Sequence, residues 1–397
     1  MDAPLLSIAE LDADPHGVFR HHRALMPFIL HESGSYFVLR AKDVETLMRD
    51  DPRTRQSEVE YPVMLGITEG TLFDFFTEGM LTSNGVVHQR RRAPFTRTFA
   101  ARLVSQLRPR IRAAAEELVD SWYSGGEIDL VADYSALIPA RTIADVLGLR
   151  RDDIPHFTRL VYQLSRVLSF LFTPDEIPAL QAAAWELLDY VEAVLADRRK
   201  APRKDFLSAF LAEAELAGEL SPLEIVVQII QLIVGGTDTT RVAGAIQVAL
   251  LLQHRDQWDA ICRDPRLIPG AVAEALRYEP SVATVGRISL GDIPLEGGVL
   301  PAGKFLMLST MSAMRDESVH VDPDRFNIRR SDRRRTHLVF GSGVHRCLGE
   351  ALAVAELEEG LAVLAARLPQ LRFSSGPPQL RGHSGIRRLE NCPVSWS

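Results

Sequence analysis

Through most of the first two thirds of the chain, apolar residues recur at the spacing of a helix face. Val104–Ser121 (VSQLRPRIRAAAEELVDS) follows this period and predicts a helix. Ile177–Arg199 does the same, with Pro178 suited to a first helical turn. The most distinctive element starts at Ser221-Pro222, a capping residue followed by proline at the first helical position, and runs to about His254. At about 1.5 Å per residue it spans roughly 50 Å, enough to cross the whole molecule. Asp238, Arg241 and several glutamines interrupt its apolar run. A membrane span needs about 20 mostly apolar residues without such charges, so a buried helix in a water-soluble core is predicted.

Beyond this helix the period shortens. Val282–Leu290, Ile293–Val299 and Lys304–Ser309 are brief segments punctuated by Gly and Pro, as small strands and turns are. Arg315–Arg346 has little periodicity and predicts a long ordered loop. A helix resumes at Leu348–Leu368, and the tail reads as turns and short strands. The first 80 residues carry weak signals. With no internal repeat, low-complexity tract or long linker, residues 1–397 are expected to form a single domain. It should be mainly α, with about a dozen helices and small β-sheets.

Composition narrows the function classes only a little. Apolar residues make up 46% and charged residues 24%, ordinary for a globular protein that can enclose a cavity. The net charge of −7 gives no reason to expect nucleic-acid binding. The three cysteines, Cys262, Cys347 and Cys392, are odd in number and widely spaced, so neither a disulfide framework nor a CxxC zinc site is implied. The N-terminus lacks the basic-then-apolar order of a signal peptide or membrane anchor, and a cytoplasmic location is expected.

Chemistry concentrates at Phe340–Gly349, FGSGVHRCLG. Glycines allow tight turns and close approach of backbone to a flat ligand. A helix start supplies N–H groups and a positive dipole end, both favourable to a thiolate. A lone cysteine in a glycine-rich turn is more often structural, but this surround is long and specific. It resembles the haem-binding loop of the cytochrome P-450 family: Phe, Gly, any, Gly, any, His, Arg, Cys, any, Gly. The resemblance implies haem b, with Cys347 as its axial iron ligand. Phe340, Gly341 and Gly349 would shape the loop, and His345 would reach a propionate. A thiolate ligand pushes electron density toward iron and favours O–O cleavage. The haem is expected between the cysteine loop and the long central helix.

In the middle of that helix stands Gly235-Gly236-Thr237-Asp238-Thr239-Thr240. Two glycines inside a helix cost about 1 kcal/mol each against alanine, which suggests close approach to the backbone at Gly236. The Thr239 hydroxyl can bond back to the Gly235 carbonyl. Thr-Asp-Thr-Thr is also good capping sequence, although the periodicity on both sides argues against a break. The stretch resembles the oxygen-binding segment of the same family, which implies that Thr239 and Asp238 support proton delivery.

Glu274 and Arg277 share a helix face and resemble the family's Glu-x-x-Arg, with Arg325 as the third member of its charge network. By themselves they could be an ordinary surface pair. His88 and Arg92, four residues apart, face the same way and resemble propionate partners, as does Arg287. A solvated basic face is the plainer account of His88 and Arg92.

The resemblance implies a monomeric monooxygenase that inserts one atom of O2 into an apolar small molecule by hydroxylation or epoxidation. The chain carries no dinucleotide fingerprint, so NAD(P)H would act only through partners, a ferredoxin and its reductase. Arg90, Arg91, Arg97, Arg108, Arg110 and Arg112, with Arg333, Arg334, Arg335 and Arg346, could form a basic dock, or simply be solvated charge. Tyr61–Met80, including Phe76, would roof the pocket. Val282, Thr284 and Val285 would lie beside the haem, and Leu164–Phe172 along the access channel; core packing is the alternative for each. A peroxide-driven enzyme and a haem sensor or carrier are the competing functions, and retention of Asp238 with Thr239 argues against both.

Overall fold

A computed structural model describes residues 3–49, 52–98, 101–169, 171–332 and 337–396. The long helix occupies Pro222–Gln253, one residue short of its predicted end. Its start is fixed by a reciprocal cap: Ser221 Oγ accepts from the Glu224 N–H at 3.1 Å, and the Glu224 carboxylate accepts from the Ser221 N–H at 2.8 Å. This helix is buried around most of its circumference because helices surround it. They include Leu137–Leu147, Ile154–Leu168, Ile177–Lys200, Ile268–Tyr278 and Glu350–Arg367. Among the described residues no helix is long and apolar enough to cross a membrane.

The periodic helices appear close to where the sequence puts them, at Ala101–Trp122, Ile177–Lys200 and Glu350–Arg367. The last starts two residues later than expected. Leu348 and Gly349 belong to the turn that leads into it. The segment Ile293–Val299, read as small strand and turn, lies in a hairpin of Ile293–Leu295 and Gly298–Leu300, turned at Gly297 with φ +103°.

The weakly patterned N-terminus supplies most of a six-stranded sheet. Its order is Leu5–Leu6, Phe28–His31, Tyr36–Val38, Phe305–Ser309, Thr284–Ser289, Thr54–Arg55. Tyr36–Val38 runs parallel to Phe305–Ser309, placing Phe37 opposite Met307. The antiparallel neighbour, Thr284–Ser289, carries Arg287 opposite Leu306. A three-stranded sheet joins Arg372–Phe373, Pro393–Ser395 and Glu127–Asp129. The architecture is mainly α with small sheets, as expected.

Candidate active site

One large cavity lies between the middle of the long helix and the cysteine loop. It offers about 420 Å³ to the centre of a water-sized sphere. The loop below it folds as its glycines dictate. Gly341 and Gly343 hold φ of +72° and +68°, where L side chains are strained. The chain doubles back so that the Cys347 N–H donates to the Phe340 carbonyl at 2.7 Å. A Cβ on Gly349 would lie 4.0 Å from the Cys347 sulfur. The Cys347 side chain is exposed, yet it lines the cavity, so its free surface faces inward. Burial pushes its thiol up; the Gly349 N–H, Arg92 and Arg346 push it back, while Glu350 raises it. The thiol therefore gains a thiolate-stabilising N–H but stands in a desolvated place, where binding a cation would favour the thiolate.

Four basic side chains converge at the cavity rim: His88, Arg92, Arg287 and His345. The rings of His88 and His345 lie 4.0 Å apart. Arg92 donates to the Arg346 carbonyl at 2.7 Å. Arg287 donates to the carbonyls of Gly286 and Met48 at 2.8 and 3.1 Å. Burial pushes His345 well below the usual histidine range, and the charged neighbours that add to this (His88, Arg287 and Arg92) are all basic. Basic side chains gathered in this way make a site for anionic groups.

Above the loop, Gly235, Gly236 and Thr239 border the cavity. The Thr239 hydroxyl donates to the Gly235 carbonyl at 2.7 Å, as its spacing predicts. The close approach expected at Gly236 is made by protein: a Cβ there would meet the Ile143 side chain at 2.5 Å. It is Gly235 that has open space, so it is the glycine that leaves the helix backbone bare toward the cavity. Asp238 does not line the cavity. It is fully buried, and its Oδ1 accepts from Arg241 Nε at 2.8 Å. Its Oδ2 has no hydrogen-bond partner among the described residues. Arg241 in turn lies over the Tyr162 ring, 4.7 Å from its centre.

The charge network differs from expectation in one member. Glu274 accepts from Arg277 Nε at 2.8 Å, and its third partner is Arg330 rather than Arg325. Arg330 is buried and reaches Glu274 Oε2 at 3.1 Å, while Arg325 is exposed and accepts from Arg330 at its carbonyl, at 2.9 Å. Arg277 also donates to the carbonyls of Met314 and Pro323, both at 2.9 Å. Glu274 thereby gathers the long loop that precedes the cysteine.

Phe76, Val282, Thr284 and Val285 all line the cavity. The Thr284 hydroxyl accepts from the Gly385 N–H at 3.0 Å, so it also anchors the C-terminal turn. Phe305, Gln231 and Glu356 line the cavity too and were missed. Phe305 lay in a predicted strand, and Glu356 stands four residues beyond Leu352 on one helix face; neither carries a motif. Glu356 is buried, which raises its carboxyl to about 8.

Six of the ten arginines of the expected basic dock engage in ion pairs, most of them with the side chain still partly exposed. Arg90 and Arg91 both bind Glu224, and Arg91 is buried. Arg97 pairs with Glu213, Arg108 with Glu358 and Glu359, Arg112 with Glu359, and Arg346 with Glu350. Arg110 is exposed. Arg333, Arg334 and Arg335 lie outside the described residues.

A family model described as Cytochrome P450 matches residues 18–264 and 266–368. The chain belongs to the cytochrome P450 family. It is 42% identical over 397 residues to the plant-inducible cytochrome P450-pinF1 of Rhizobium radiobacter, covering all of this chain and 94% of that one. A steroid C26-monooxygenase of Mycobacterium tuberculosis is 34% identical over 321 residues, 80% of this chain and 86% of the other. The crystal structure of CalO2 matches with a TM-score of 0.90 at 27% identity, covering 98% of this chain and 97% of that one. This P450 is thus an oxidoreductase of the monooxygenase class, using haem b, O2 and NAD(P)H-derived electrons delivered by partner proteins. The residues present fit the haem: an inward-facing thiol, a bare stretch of helix across from it, and a basic rim for two carboxylates.

Proposed function

We propose that this P450 oxygenates an apolar small molecule, by hydroxylation or epoxidation, with Cys347 as the iron ligand. The single observation that carries the reading is the thiol of Cys347 facing a large cavity that Gly235 and Thr239 also line. His88, Arg92, Arg287 and His345 hold the propionates, with Phe340, Gly341 and Gly349 shaping the loop and Gly235 and Gly236 the helix above it. The haem, when bound, supplies the oxygen-activating redox chemistry. The protein's part is to position and to move protons. The Thr239 hydroxyl, tied to the Gly235 carbonyl, can pass a proton into the cavity. Asp238, held on the far side of the helix by Arg241, is the reservoir behind it rather than a group at the reacting centre. Glu274, Arg277 and Arg330 keep the loop in place.

Phe75, Phe76, Met80, Val282, Val285 and Phe305 give the cavity an apolar lining, which favours a substrate such as a terpene, fatty acid, aromatic or steroid. The relative named for a steroid acts within that class. A ferredoxin with its reductase supplies electrons to a monomeric, cytoplasmic, single-domain protein. The test is the ferrous carbon monoxide complex of the wild-type protein and of Cys347→His. A strongly red-shifted Soret band in the wild type alone supports the reading; a histidine-like band in folded wild type overturns it. Turnover with ferredoxin, reductase and O2, compared with peroxide alone, decides between oxygenase and peroxygenase.

A further inference from the structure

Three glutamines grip one stretch of the cavity roof in the same way. Each accepts from a backbone N–H with its Oε1 and donates to a backbone carbonyl with its Nε2. Gln181 takes the Leu72 N–H at 2.9 Å and the Glu69 carbonyl at 2.6 Å. Gln228 takes the Met80 N–H at 2.8 Å and the Glu78 carbonyl at 2.7 Å. Gln231 takes the Leu81 N–H at 3.0 Å and the Phe75 carbonyl at 2.8 Å. Gln228 and Gln231 are buried, and their i, i+3 spacing puts them on one side of the long helix. Gln181 comes from the helix Ile177–Lys200.

Two glycines of the roof are cleared for these amides. A Cβ on Gly79 would fall 1.7 Å from Gln231 Nε2, and one on Gly70 would fall 2.9 Å from Gln181 Oε1. Between them lies the short helix Thr71–Thr77, whose last carbonyls have no intrahelical partner. Side chains satisfy them: Gln231 at Phe75, the Thr82 hydroxyl at Phe76 and Arg91 at Thr77. Arg91 also donates to the Gly79 carbonyl at 3.1 Å and binds Glu224 on the long helix. Both edges of this stretch are thus wired to helices whose own positions are fixed by the core.

We propose that Gln181, Gln228 and Gln231 are positioning residues that set substrate specificity. They make residues 69–82 a rigid wall, holding Phe75, Phe76 and Met80 at a fixed height above Gly235 and Thr239. The proposal rests on the active-site reading given above. Gln231 lies one helical turn before Gly235, so the wall and the oxygen-binding stretch are set by the same helix. Ligands too wide for this wall are excluded by it.

The test uses haem-loaded wild-type protein, Gln231→Met, Gln228→Met and Gly79→Ala. The methionines keep side-chain length without the amide, and the alanine displaces the amide while keeping it. Two readouts are taken: amide hydrogen exchange, and binding of 1-butylimidazole against 4-(biphenyl)imidazole by the visible difference spectrum. The expected result is exchange in peptides covering 75–82 faster by at least about tenfold in all three variants, with the Ile268–Tyr278 helix unchanged. The wild-type preference between the two imidazoles should fall at least threefold. Unchanged exchange in 75–82, or faster exchange with the preference retained, overturns the proposal. If a methionine variant fails to fold, Gly79→Ala decides. Loss of the thiolate-type carbon monoxide band in wild type would refute the site reading instead, and exchange would still report on the wall.

Discussion

The floor and the roof of the cavity are built by different means. The floor is a single run of ten residues, Phe340–Gly349, whose turns are set by its own glycines and closed by one backbone hydrogen bond. The roof is a segment held, besides its neighbours Arg91 and Thr82, by glutamines that lie about 110 to 160 residues away in sequence. Local geometry sets the turns of the floor, and partners from elsewhere, such as Arg92 at the Arg346 carbonyl, hold it in place. The roof exists only once the Ile177–Lys200 and Pro222–Gln253 helices have packed. A fixed chemistry and an adjustable selectivity call for that division.

The sharpest break of the comparison comes at the floor. Cys347→Ser should abolish oxygenation, a fall of at least about a thousandfold, since an alcohol cannot supply the electron push of a thiolate. Product formation under O2 with a reductase system checks it, and retained turnover would sink the assignment. The next effect tests the support under the floor. Arg330→Ala leaves Glu274 buried with one fewer cation and should cost roughly 3 kcal/mol, whereas Arg325→Ala, on an exposed side chain, should stay within about 0.5 kcal/mol. Denaturant midpoints of the two variants distinguish them, and equal losses would return Arg325 to the network.

A third effect depends on pH. Burial raises the Glu356 carboxyl from 4.5 to about 8. The folded state then holds a proton that the unfolded state has lost. Stability should decline as pH rises from 4.5 toward 8, by at most about 1.4 kcal/mol per pH unit. Glu356→Gln should flatten that decline, and thermal midpoints measured at pH 5 and pH 8 read it. Midpoints that differ by the same amount in both proteins would show Glu356 to be uninvolved. The smallest effect is expected at Arg110, which is exposed. Arg110→Glu should change stability by less than about 0.5 kcal/mol, and any larger effect is to be sought in the salt dependence of reduction.

How much of this was legible in the sequence follows the same division. Cys347, the glycines around it and the Thr239–Gly235 contact could be read because each depends on neighbours within a few residues. The long helix could be read to within one residue because its cap and its period are local signals. Arg330 could not be told from Arg325. Both follow an aspartate-rich turn, and only the folded loop buries one and exposes the other. The ion pairs within the basic run were hidden for a related reason: their glutamate partners, from Glu213 to Glu359, arrive from other helices. Asp238 sat in the right motif, yet its side chain follows Arg241, three residues on, away from the cavity. The glutamines of the long helix read as interruptions of an apolar tract, and their partners lie in another segment.

The Pro222–Gln253 helix carries Gln228 and Gln231 at one end of the roof contact and Gly235 and Thr239 a turn later. For laboratory evolution this acts as a rail. A library aimed at new substrates gains little by varying the rail, because any shift along it carries selection and oxygen chemistry together. Variation at lining positions off the rail, such as Val282, Val285 and Phe305, changes what is admitted without moving where it reacts.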